Sequence, residues 1–236
     1  MMDQPVFTLT NIQRLSEEAL ARLMETAAVA HFVDPSLPIP EPYLGSGEIK
    51  LVIIGQDPTV QRATSRKQIH TVLNLDRQRG LWAYLNQLCQ GLGLSLAENV
   101  YATNACKNFF TEPPTVIKQK YNVDVLTASA PVWLPVLRQE LAAFPNAAII
   151  SLGEPVLAML IQPGCPQTIK EYWGYHPQWK SGQTTPRQAV LAGQSTIDRA
   201  FHPFIHQPSY RSPRVAFYRH TWGEYTGFIR EYNHWR

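Results

Sequence analysis

The chain has 236 residues, 44% of them hydrophobic and 17% charged, which suits one globular domain with a sizeable core. A net charge of +3 permits a polyanionic partner without demanding one. No apolar run approaches the ~20 residues that cross a bilayer, and the start, MMDQPVFTLT, lacks the basic and apolar regions of a secretory signal, so a cytoplasmic protein without membrane contact is expected.

Residues 1–12 read as a loose leader, followed by a helix opened by Ser16-Glu17-Glu18 and running to about 29–31. Pro35, Pro38, Pro40 and Pro42 then impose an extended arm. Residues 1–45 are therefore expected to pack, as helix and arm, on a domain formed by 46–236. Within that domain Leu51-Val52-Ile53-Ile54 reads as a strand buried on both faces, stopped by Gly55 and Pro58. Residues 57–70 read as a loop or short helical turn, and Leu81, Trp82, Leu85, Leu88 and Cys89 form a helical stripe ended by Gly91 and Gly93. Asn99 to Asn104 reads as a second strand, 107–118 as a loop, and Leu126 to Phe144 as a long helix that Pro131 and Pro135 could divide. Ala147 to Gly153 reads as a third strand, with a helix begun by Glu154-Pro155. After an irregular stretch over 162–188, Phe201 to His206 reads as a short last strand, and Ser212-Pro213 caps a final helix to about Tyr232. Strands alternating with helices predict an α/β fold, a three-layer α/β/α sandwich around a small, mainly parallel four-stranded sheet.

Four polar residues then end apolar strands: Asp57, Asn104, Glu154 and His206. In an open α/β sheet the carboxyl ends of the strands border the ligand site. An Asp there can orient water, an Asn can read an amide-like edge, and a neutral His can donate to a developing oxyanion. Each also has a plain structural role: Asp before Pro opens turns, Asn caps a strand end, and His packs half-buried. Their joint placement points to chemistry more than any one does. His202 and His206 could share a strand face, but no third ligand is spaced to help, so no metal is expected. Gly-x-Ser-x-Gly, a P-loop and a Gly-rich dinucleotide turn are absent, and no cofactor is expected. Cys89, Cys106 and Cys165 are odd in number and far apart, which argues against a disulfide framework. From Lys170 onward Lys and Arg outnumber Asp and Glu, so the C-terminal part is the basic part.

Gly55-Gln56-Asp57-Pro58, placed after an apolar strand, resembles the first motif of the uracil-DNA glycosylase superfamily. Tyr101-Ala102-Thr103-Asn104-Ala105-Cys106-Lys107 resembles the strand that carries the uracil-reading Asn, Ile149 to Pro155 the third strand and its Gly turn, and His206-Gln207-Pro208-Ser209 the second catalytic motif with one inserted Gln. The resemblance implies excision of uracil or a related damaged base from DNA, single- or double-stranded, by a monomer. It implies that Asp57 positions water and stabilises the cationic sugar, and that His206 donates to the leaving base, with His202 of Phe201-His202-Pro203 as the alternative histidine. It further implies that Gln56 and Asn104 contact the base, that Ser209, Arg211 and Arg214 contact phosphates, and that Tyr210 is the wedge filling the gap. Thr59 stands where the uracil-specific branch has Tyr, Val60 where it has His, and Leu73 and Asn74 where a stacking Phe is expected. These departures keep a second expectation open: a catalytically inactive binder of nucleic acid or a pyrimidine-like ligand on the same scaffold.

Overall fold

A computed structural model describes residues 8–78, 80–206 and 213–235. The first helix, α1 (Leu9–Met24), starts earlier than its acidic triplet suggests, because Thr8 caps it: the Thr8 hydroxyl accepts the Asn11 N–H at 3.1 Å. Ser16 is buried inside the helix, its hydroxyl donating back to the Ile12 carbonyl. Ala19 and Leu23 reach the main core, and α1 lies against the later helix α6 (Val125–Ala142).

The sheet has five strands, not the expected four. Four are parallel: β2 (Leu51–Gly55), β3 (Val100–Asn104), β4 (Ala148–Leu152) and β5 (His202–Phe204). The fifth, β1 (Tyr43–Leu44), begins just past Pro42, where the arm regains backbone donors, and pairs antiparallel with β3. The order is β1-β3-β2-β4-β5, so the sheet is mixed. Every residue of β2, β3, β4 and β5 is buried, and successive side chains point to opposite faces, so both faces are covered. Register places Gly55 beside Asn104 and Leu152 beside Phe204, which gathers the strands' carboxyl ends along one edge.

The connections explain the remaining departures. The polar stretch after β2 holds one short helix, α2 (Ala63–Arg66). It is followed by α3 (Leu81–Gly91) and α4 (Leu96–Asn99), which leads directly into β3. The segment read as a loop contains α5 (Pro114–Tyr121), with a Pro in its first turn and Asn122 at φ 56° closing it in the left-handed region. Helix α6 runs unbroken through Pro131 and Pro135. The two prolines and Thr127 are all exposed, so the missing helical donors fall on the solvent side of the helix, where water can replace them. After β4, Gly153 adopts φ 91°, a conformation open to glycine, and turns the chain into α7 (Glu154–Leu160). The short α8 (Ile169–Tyr172) carries a capping box from Thr168 and Glu171. Strand β5 is shorter than expected, since Phe201 bridges to Val190 instead. Helix α9 (Pro213–Tyr232) closes the fold, and Trp173 stacks on its Tyr225 with ring centroids 4.3 Å apart. Among the described residues no helix is long and apolar enough to cross a membrane.

Candidate active site at the carboxyl edge of the sheet

A cleft of about 410 Å³ opens at the carboxyl edge, between the ends of β2 and β5. That volume falls within the ~300–1,000 Å³ range of small-ligand sites. Its walls are mainly apolar (Pro58, Val60, Ile69, Leu73 and Leu81), and its polar groups are Asp57, Asn74, Arg77 and His206.

Asp57 stands two residues past the end of β2, and Pro58 forces the chain away from the sheet there. One carboxylate oxygen accepts the Thr59 N–H and the other accepts the Gln56 side-chain amide, both at 2.9 Å. The plain turn role and the cleft role therefore coexist in one side chain. Burial raises the Asp57 pKa from 3.8 to about 6, and the bonds from Thr59 and Gln56 and the nearby Arg66 charge oppose the rise. The residue keeps part of its surface in the cleft, but its surroundings are dense enough for desolvation to dominate. At neutral pH it is ionised and poorly solvated, the state suited to orienting water or stabilising a cation.

Arg66 holds the wall around Asp57. It is 4% exposed, and its guanidinium donates to the carbonyls of Val60, Phe110 and Thr111, tying the loop after β2 to the loop after β3. Thr59 contributes to the same tie, its hydroxyl accepting the Phe110 N–H at 2.7 Å. Thr59 is thus turned to the wall rather than lining the cleft. The Gln56 carbonyl accepts the Cys106 N–H, which fixes the same turn.

Leu73 and Asn74 fill the place where the resemblance puts a ring. Both line the cleft, and both have left-handed backbones, at φ 58° and 55°. A leucine there is strained, at a cost of order 1–3 kcal/mol. Leu73 and the Asn104 side chain crowd the Gly55 Cα: an added Cβ would lie 2.7 Å from Leu73 Cδ2 and 2.4 Å from Asn104 Oδ1. Asn104 is 1% exposed and does not line the cleft. Its Oδ1, like that of Asn74, is buried without a hydrogen-bond partner among the described residues. Such an atom costs about 1–3 kcal/mol and is ready to accept a bond from a ligand N–H.

Of the two candidate histidines, His206 lines the cleft, and packing against its ring lowers its pKa by desolvation although the residue remains exposed. His202 is buried in β5 between Phe228 and Tyr232, with Nε2 3.1 Å from the Asn233 amide, and burial pushes its pKa down to about 4. Ser209, Tyr210 and Arg211 lie outside the described residues, as does the side chain of Arg214 at the start of α9. Among the described residues no three His, Cys, Asp or Glu side chains gather to hold a metal.

Two features were not foreseen from the sequence. Arg77 brings a cation into the cleft, donating to the Gln68 side chain, and its signal is the polar string Asp76-Arg77-Gln78-Arg79-Gly80. Behind β3, Lys107 pairs with Glu140 at 2.6 Å, both almost wholly buried. The Glu140 carboxylate also accepts from the hydroxyls of Tyr101 and Thr103, and Lys107 donates to the Asn104 carbonyl, so this network anchors the strand end that presents Asn104. Glu140 sits in the last turn of α6 directly after the exposed Arg138 and Gln139, so nothing local marked it as buried. The fold and site define an α/β protein with a carboxylate and a histidine in one cleft at the sheet's carboxyl edge. A scan against protein-family models and a search of curated proteins returned no match to this chain.

Proposed function

We propose that the protein is a DNA glycosylase of the uracil-DNA glycosylase type, a three-layer α/β/α sandwich that hydrolyses the N-glycosidic bond of a flipped-out uracil or related base. The observation that carries the reading is the meeting of Asp57 and His206, from the ends of β2 and β5, in one apolar-walled cleft. In this reading the base enters the cleft after leaving the stack. The ionised Asp57 holds the attacking water and stabilises positive charge building on the sugar. The neutral His206 donates to the departing base anion, where a positioned donor is worth roughly 10²–10³ in rate. Arg77 meets a phosphate at the rim. Leu73 withdraws from over Gly55, and the unpaired Asn104 Oδ1 accepts from the base's N–H. DNA is the partner, bound by a monomer in the cytoplasm.

The burial of Asn104, outside the lining of the cleft, favours a second reading, in which the cleft binds nucleic acid or a pyrimidine-like ligand without turning it over. Asp57→Asn and His206→Ala separate the two. The glycosylase reading expects each to lower base release by orders of magnitude while circular dichroism stays native. Equal release by both variants and the wild type would sink it, and ligand binding without release by the wild type would establish the binder.

A further inference from the structure

A second pocket, of about 300 Å³, lies on the same edge and differs in chemistry from the first. It is lined by Tyr175, Trp179, Phe217 and Tyr218, by the cations Lys170 and Lys180, and by Thr168 and Glu154. Phe217, 2% exposed, is the base on which two rings lean: Tyr175 meets it edge-on at 5.1 Å and Trp179 at 5.6 Å. Tyr175 and Trp179 are themselves only half-buried, so each keeps ring surface toward the pocket. The Lys170 ammonium stands 4.8 Å over the Tyr175 ring, held there by cation–π attraction, while Lys180 is exposed at the rim. These rings stand at the margin of the core, with Phe217 inside it, and they place flat apolar faces and two positive charges around an open volume.

One turn of chain separates this pocket from the first cleft. His206 lines the first and Glu154 the second, and Gly153 stands between them, its would-be Cβ 3.6 Å from the His206 Cβ. We propose that this second pocket is a nucleotide subsite, in which an unstacked base of single-stranded DNA packs against Trp179 and Tyr175 while Lys170 and Lys180 meet the adjoining phosphates. The proposal rests on the nucleic-acid reading of the first cleft and sharpens it to a single-stranded substrate. Bases present π-faces whatever their sequence, so aromatic platforms bind single strands without needing to read them. A duplex keeps its bases stacked and has none to offer beside the flipped one. Glu154 fits the same occupant, accepting from the ring N3–H of a thymine while the lysines neutralise phosphate.

The test is fluorescence anisotropy of a labelled oligothymidylate of about 12 nucleotides, within the span of known single-strand sites, titrated between roughly 50 and 200 mM salt. Trp179→Ala should weaken binding about tenfold, within the range for one lost base stack, and Trp179→Phe should restore most of it. Lys170→Gln with Lys180→Gln, both on side chains with solvent access, should flatten the log–log salt slope by about 1.4, at ~0.7 per single-strand phosphate. A duplex of equal length should bind more weakly and ignore Trp179→Ala. The proposal is overturned if the wild type does not bind the single strand, if affinity and salt slope are unchanged in these variants, or if duplex binding is equally sensitive to them. Base release by the wild type and by the pocket variants, measured in parallel, keeps the two ideas apart. Loss of base release with intact binding tests the catalytic reading alone, and unchanged pocket variants beside active catalysis defeat the subsite alone.

Discussion

Replacing Asp57 by Asn should stabilise the fold at neutral pH while abolishing the proposed base release. Folding desolvates the carboxylate and raises its pKa from 3.8 to about 6, so folding opposes its ionisation. Two units correspond to about 3 kcal/mol. The sign follows from proton linkage: between pH ~4 and ~6 the folded state binds more protons than the unfolded one, so stability falls as pH rises through that window and the full penalty is present at pH 7. Asn carries no charge and escapes it. Asn also offers one acceptor where the carboxylate offers two, so either the Thr59 N–H or the Gln56 amide loses its partner, at about 1 kcal/mol. The net gain is about 1–2 kcal/mol, or roughly 2–8 °C in Tm for a chain of this size. Thermal denaturation of both proteins at pH 7.5 and pH 4 measures it directly. The variant should melt higher at pH 7.5, with the gap closing and then reversing by pH 4, where folded Asp57 is already protonated and only the lost bond remains. A variant that melts at or below the wild type at pH 7.5 would refute a desolvated, ionised Asp57.

Other perturbations follow from the same geometry. Arg66→Met removes three bonds to carbonyls and should cost about 3 kcal/mol in denaturant melts; losing that charge also lets the Asp57 pKa rise, so the acid limb of the base-release pH profile should move to higher pH. Glu140→Gln leaves Lys107 buried without its counter-charge and should cost about 3–5 kcal/mol, much of it recovered when Lys107→Met is added, as urea titrations of the single and double variants would show. Gly55→Ala forces Leu73 and Asn104 apart; it should cost about 1–3 kcal/mol in Tm-derived stability and reduce base release beyond what that loss explains. His206→Ala should lower single-turnover base release by about 100-fold or more with Tm unchanged, because the side chain is exposed.

What the sequence disclosed was local pattern, and what it hid was tertiary contact. The apolar runs at β2, β3 and β4 announced buried parallel strands, and Gly55 and Gly153 marked their ends. Edge strand β1 was hidden because two residues after a proline arm carry no periodicity, and only pairing with β3 defines them. The start of α1 was hidden because the acidic triplet outweighed the less conspicuous cap at Thr8. At the site, Asp57 and His206 were legible as polar residues ending apolar strands. The burial of Asn104 was not, since it follows from tertiary packing around Gly55, which both Asn104 and Leu73 crowd. The Lys107–Glu140 pair joins residues distant in the chain and leaves no trace in either segment. The pocket around Trp179 and Phe217 fell in a stretch that read as irregular, because its aromatics come together only through α9.

The most direct measurement is base release by the purified protein from oligonucleotides carrying uracil, thymine opposite guanine, hypoxanthine or xanthine, single- and double-stranded, with alkali cutting the abasic product. The account predicts cleavage at one of these bases in the wild type and none in Asp57→Asn. Absence of cleavage on every substrate by a folded wild type, or equal cleavage by the Asn variant, would contradict it.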